Sequence, residues 1–234
     1  MLSELELRAI GAFYPEPTGR TVREIAKASG YSYERAHTAL RSLERKGIAR
    51  SRRIGNVITY DLITRSDGAL LGFMMVISER ARRFKEKHGT VYNAVREFAD
   101  AVDPEICILF GSYSKGYETE LSDVDLLFVT DRKDMAKRSH SLSARLNKDI
   151  TAIDLPKRAF RAMERHNPGL FYDILHNGIV VKGYERYFEL VYRWDLWSTI
   201  ISDGSSEGGS SRGRPSRRGA VRVMSRRRGR TCRR

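Results

Sequence analysis

Ten residues separate the pair Gly111-Ser112 from the triplet Asp123-Val124-Asp125. In an extended segment alternate residues share a face, so Asp123 and Asp125 project together while Val124 and Leu126 pack inward. Two carboxylates on one face suit a hard cation such as Mg2+, and a pair of such ions can activate an attacking oxygen and neutralise a leaving pyrophosphate. Gly111 has no Cβ, which lets backbone N–H groups approach phosphate oxygens closely; Ser112 adds a hydroxyl donor, and Lys115, one turn further on, is placed to reach a phosphate. The substrate these groups suit is a nucleoside triphosphate such as ATP.

The flanking sequence must hold the two halves of this site together. Ile106, Cys107, Ile108, Leu109 and Phe110 form a short apolar run that reads as a buried strand delivering the glycine turn, and residues 126–129 read as a second. Residues 112–116 predict a short helix whose first amides favour an anion.

The whole pattern resembles the polymerase-β-like nucleotidyltransferase superfamily, in which a hydrophobic residue precedes Gly-Ser or Gly-Gly and an Asp-hydrophobic-Asp/Glu strand follows. The resemblance implies Mg2+-dependent transfer of a nucleoside monophosphate to a protein or nucleic-acid hydroxyl. It also implies a mixed sheet and a third carboxylate from a later strand, which binds metal and acts as base. The next strand candidate, residues 149–155, offers Asp154 or, less well, Asp149; Asp149 shares parity with Thr151 and Ile153, and Asp154 with Ile150 and Ala152. Asn167-Pro168 through Lys182-Gly183 resembles the closing helix and strand of minimal nucleotidyltransferases, a group that includes antitoxin-type enzymes; Pro168 suits a first helical turn and Gly178 a stop. That likeness spans about residues 90–183 and raises the prospect of a toxin-like protein partner as acceptor.

The N-terminal third predicts a different kind of unit. Thr21 caps a helix with Glu24 at the capping-box position and Gly30 at its end, and a second helix over residues 32–46 carries Ala36, Leu40 and Leu43 on one stripe before Gly47 stops it. Residues 48–53 and 57–62 alternate as strands around Gly55-Asn56, a short hairpin signal. Helix, turn, helix and basic hairpin in this order resemble winged helix-turn-helix regulators of the MarR and ArsR kind. The resemblance implies a DNA partner. The second helix would then meet the major groove through Ser32, Tyr33, Arg35, Thr38, Arg41 and Arg45, with Arg50, Arg52 and Arg53 on or beside the wing. Residues 18–62 hold ten Lys or Arg against four Asp or Glu, which supports binding to a polyanion.

The fold class that follows is α+β: a winged helix over residues 1–63, a linker helix over 64–89, a transferase domain over 90–203 and an Arg/Ser/Gly-rich tail over 204–234. In the linker, Leu70, Phe73, Met74 and Ile77 would pack in a core or along a homodimer seam, while Arg80, Arg82, Arg83, Lys85 and Lys87 stay solvated. Val91, Ala94, Val95 and Phe98 give the following helix one apolar face.

Charge needs partitioning before it is used. The chain of 234 residues has a formal net charge of +14, but residues 204–234 alone hold eleven Arg and one Glu. That composition predicts a disordered tail able to grip nucleic-acid phosphates. A preceding helix over residues 184–201 carries Phe188, Val191, Tyr192 and Trp194. The N-terminus lacks an export signal, no segment is long and apolar enough for a membrane, and Cys107 and Cys232 imply no disulfide framework, so a cytoplasmic location is expected. His37, His88, His140, His166 and His176 have no metal-ligand spacing.

Overall fold

A computed structural model describes residues 1–132 and 134–192. The expected tail and the second half of the last helix, including Trp194, lie outside the described residues.

The chain begins with a helix the motif search does not anticipate, α1 (Glu4–Gly11), closed by a capping box between Ser3 and Glu6. A two-residue strand β1 (Arg20–Thr21) leads into α2 (Val22–Ser29), where Thr21 and Glu24 form a second capping box and Gly30 ends the helix in the left-handed region. Then come α3 (Tyr33–Arg45), capped by Ser32, and the hairpin of β2 (Ala49–Ile54) and β3 (Val57–Leu62), which β1 extends to the order β1-β3-β2.

Buried charge holds this unit together. Glu6, only 3 % exposed, receives Lys46 Nζ at 2.7 Å and Ser42 Oγ at 2.8 Å, besides the Ser3 amide. Asp61, 1 % exposed, takes Arg52 Nε at 2.6 Å, Arg50 Nε at 3.4 Å and the Gly19 amide at 2.9 Å. Both are interior carboxylates that stay only because donors surround them.

The long helix α4 (Asp67–Lys87) crosses α1 closely at Gly72, where a Cβ would lie 2.3 Å from Ile10 Cγ2. Phe73 and Ile77 are buried in the chain's own core and Leu70 and Met74 pack against it, so these four apolar side chains are consumed within the chain. Leu71 and Met75 are the α4 apolar residues left exposed. Arg80 also departs from a purely solvated role. Its guanidinium lies 4.8 Å from the centre of the Tyr14 ring and donates to the Leu175 carbonyl at 3.3 Å, which accepts Tyr14 Oη as well at 2.8 Å.

The second sheet has the order β6-β5-β4-β7. Helix α5 (Gly89–Val102) precedes β4 (Ile106–Phe110); the five-residue α6 (Gly111–Lys115) and β5 (Val124–Val129) follow. Short helices α7 (Met135–Arg138) and α8 (His140–Leu146) lead to β6 (Ile150–Leu155), which pairs with β5 in parallel, whereas β4 is antiparallel to both β5 and β7 (Ile179–Lys182). Between β6 and β7 lie α9 (Lys157–His166) and α10 (Pro168–Asn177), and α11 (Tyr184–Val191) follows β7. The sheet is therefore mixed.

Strand parity divides the core. Cys107, Leu109, Val124, Leu126, Phe128 and Val181 face a cluster with α5, α8 and the end of α4. Ile106, Ile108, Phe110, Leu127, Val129 and Val180 face α9, α10 and α11, in a cluster continuous with the N-terminal helices through Phe73, Phe13 and Tyr187.

Candidate functional site

The site forms where β4 ends beside the start of β5. Phe110 is the register partner of Asp125, so the residue after Phe110 lies next to the Asp125 carboxylate. That residue is Gly111, at φ +73°, and a Cβ built there would sit 1.9 Å from Asp125 Oδ2 and 2.8 Å from its Cγ. Glycine is thus required twice, for backbone conformation and for the space the carboxylate fills. The Ser112 carbonyl accepts the Gly116 and Tyr117 amides, and Ser114 Oγ donates to the Gly111 carbonyl at 3.0 Å, which closes the short α6 turn.

Burial pushes the Asp125 carboxyl above the ordinary carboxylate range; the negative charge of Asp123 adds to the effect and Lys115 opposes it. Asp123 and Lys115 therefore both lie within electrostatic reach of Asp125. Lys115 Nζ is held 2.8 Å from Asp173 Oδ1, a bond that raises the lysine's own pKa. The same Asp173 oxygen accepts Asn177 Nδ2 at 2.9 Å. Motif spacing does not single out Asp173. Its signal is a lone carboxylate in the helix stretch Leu170-Phe171-Tyr172-Asp173-Ile174-Leu175, where apolar neighbours dominate.

The third carboxylate is where sequence and structure part. In the parallel β5–β6 pair Asp125 is opposite Thr151, and Asp154 is opposite Phe128. Asp154 shares parity with Ile150 and Ala152 and so belongs to the sheet face opposite Asp125; it lines a cavity of about 450 Å3 with Thr130, Arg132 and Arg158 at the far end of the strands. The expectation that Asp154 joins Asp123 and Asp125 is thereby corrected: three residues of strand and a change of face separate them. Asp149 has the right parity, but it is exposed at the entrance to β6, where its carbonyl accepts the Val124 amide. Among the described residues, no group of three or more His, Cys, Asp or Glu side chains is gathered to hold a metal ion.

The residues selected for DNA contact separate into two groups. Tyr33, Arg35, Thr38, Arg41 and Arg45 are exposed along α3, and Ser32 is exposed at its cap. Tyr33 stacks on His37, Arg35 lies over the Tyr31 ring and Arg41 pairs with Glu44 at 3.0 Å. On the hairpin, Arg50 and Arg52 are held by Asp61, and Arg53 Nε donates to the Gly55 carbonyl at 3.1 Å. The hairpin arginines thus have structural partners, which period-2 patterning alone gives no means of seeing.

A family model described as "Polymerase beta, Nucleotidyltransferase" matches residues 93–187, the stretch that holds the mixed sheet, the glycine turn and the Asp-Val-Asp strand. The N-terminal unit lies outside that match. A solved structure titled "Crystal structure of the toxin-antitoxin with AMP-PNP" is similar at 18 % identity and a TM-score of 0.34, covering 49 % of this chain and 98 % of that one. No curated protein matches. No helix among the described residues is long and apolar enough to cross a membrane.

Proposed function

We propose that the protein is a slow nucleotidyltransferase that takes a nucleoside monophosphate from a triphosphate and places it on an acceptor hydroxyl, with a DNA-binding winged helix at its N-terminus. The single observation that carries the transferase reading is the seating of the Asp125 carboxylate against the Cα of Gly111, which couples the phosphate turn to the acidic strand within one van der Waals contact. A raised carboxyl beside a second carboxylate suits a cation that replaces the proton and removes the like-charge repulsion. Mg2+ fits this donor set, since it takes one or two carboxylates and completes its shell with waters and substrate phosphates.

In this reading Asp123 and Asp125 would hold the metal, which would supply positive charge to offset that on the phosphates. Ser112 and the first amides of α6 orient the β- and γ-phosphates, and Lys115 exchanges Asp173 for a phosphate oxygen. The acceptor oxygen forms a bond to the α-phosphorus, the bond from that phosphorus to the bridging oxygen breaks, and pyrophosphate leaves with the electron pair. The acceptor's proton passes to solvent, because the residue opposite Asp125 is Thr151, whose hydroxyl is no base at neutral pH.

That same threonine favours a second reading, in which the domain binds nucleotide and regulates DNA binding without turnover. The winged-helix part of both readings is supported by α2, α3 and the hairpin in sequence, and by the exposed row from Ser32 to Arg45. Two copies per DNA site would suit a homodimer. Label transfer from each α-labelled nucleoside triphosphate into RNA and protein, with and without Mg2+, tests the proposal. Transfer by the wild type and none by Asp125→Asn supports the enzyme. Nucleotide binding without transfer leaves the regulator.

A further inference from the structure

A cavity of about 310 Å3 opens between the end of α4, the α6 turn and the end of α10, on residues that exclude Gly111, Ser112, Asp123 and Asp125. Four cations converge on it: Arg80, Arg83 and Lys87 from α4, and Lys115 from α6. The carboxylates that pair with three of them, Glu79, Glu118 and Asp173, do not line it. Its floor includes the buried Phe84 and Tyr113, with the His88 ring between them, tilted against Phe84 at 5.0 Å and edge to face with Tyr113 at 5.4 Å. Arg80 and Arg83 also line a groove of about 580 Å3 that runs on toward α1 and the end of α2. The two depressions are thus neighbours that share these two arginines.

We propose that this cleft seats a single-stranded nucleic-acid segment, with its phosphates on the α4 cations and a base against the aromatic floor. Cations that track a backbone beside aromatic rings are how unpaired strands are held, and the cavity's volume is at the small end of ligand sites, enough for a nucleotide-sized group. An apolar ligand would make no use of the four cations that line the cavity, whereas a phosphate backbone would. Lys115 lines the cleft, so a strand end in it would present its hydroxyl to the transferase site. That acceptor role rests on the proposed function above; strand binding does not.

The test is fluorescence anisotropy with short labelled oligoribonucleotides and oligodeoxyribonucleotides, single-stranded and duplex, over a salt series on the full chain. Wild type is compared with Arg83→Gln, Lys87→Gln, at side chains 73 % and 58 % exposed and remote from the core. The basic C-terminal residues are common to both proteins. Loss of two phosphate contacts should reduce the single-strand salt slope by about 1.4, with the melting temperature and nucleotide binding unchanged. The tighter-binding strand names the source of the segment, RNA or DNA. An unchanged slope, or a loss confined to duplex, overturns the proposal. Asp125→Asn separates the two hypotheses: it should abolish label transfer and leave strand binding intact. A wild type that transfers no label, yet loses slope in the double variant, keeps the cleft and sinks the transferase.

Discussion

Gly111→Ala isolates the contact on which the site depends. The new Cβ meets Asp125 Oδ2 at 1.9 Å and Cγ at 2.8 Å, both inside contact distance, at a φ of +73° that L side chains disfavour. The left-handed backbone alone costs about 1–2 kcal/mol, and forcing the carboxylate aside adds about 1–3 kcal/mol. Thermal unfolding should therefore fall by roughly 4–20 °C, at about 2–4 °C per kcal/mol for a chain of this size. The steric share can be separated from the backbone share. In an Asp125→Ala background the clashing Oδ2 and Cγ are gone, and only the Asp125 Cβ remains, 3.2 Å away. The glycine substitution should then cost little more than its backbone term, leaving an interaction energy of about 1–3 kcal/mol in the double-mutant cycle. Equal costs in the two backgrounds would refute the contact and the coupling of turn to strand with it.

Other perturbations follow from the same geometry. Thr151→Asp puts a carboxylate opposite Asp125; if proton removal limits the transferase, label incorporation should rise about 100-fold, and no rise would show that another step limits it. Because the Asp125 carboxyl is raised in the folded state, the stability it contributes is greatest below the ordinary carboxylate pKa and is lost as pH rises through its folded value. Asp125→Asn should accordingly raise the melting temperature of the nucleotide-free protein at pH 7, with the gain fading toward pH 4, while abolishing metal-dependent nucleotide binding in calorimetry. Glu6 has the opposite sign: burial alone would raise it, but Lys46, Ser3 and Ser42 outweigh that and hold it at about 2, so its stabilisation is present above an ordinary glutamate pKa and lost as pH falls toward 2. Glu6→Gln should lower the melting temperature at pH 7 and match the wild type near pH 2. Arg35→Ala, Arg41→Ala should weaken duplex binding in a mobility-shift titration with unchanged stability, whereas Arg52→Ala should lower the melting temperature by uncovering Asp61, and reversal of that pattern would assign the wing the main contact role.

Much of the fold was legible because local chemistry dictates it. Thr21 with Glu24, Ser32, and Gly55 at a φ of +59° are signals that act within a few residues, and the elements they bound fall within about two residues of their expected ends. The apolar run before Gly111 and the parity of Asp123 and Asp125 are equally local. Asp154 shows where such logic stops. Parity within β6 is readable, but which parity faces Asp125 depends on the register of the parallel β5–β6 pair, a contact across 26 residues of chain at Asp125–Thr151. The same limit hid Asp61 from the wing arginines and Asp173 from Lys115, since each pair joins separate elements. Helices α1, α7, α8 and α9 carry no chemistry-bearing motif.

The measurement that bears most directly on the account is Mg2+-dependent label transfer from α-labelled nucleoside triphosphates, with the wild type set beside Asp125→Asn and Gly111→Ala. Slow incorporation by the wild type is expected, which chelation removes and both variants lack. Incorporation that survives in either variant would contradict it, since the acidic strand and the glycine turn would then not form the reacting site.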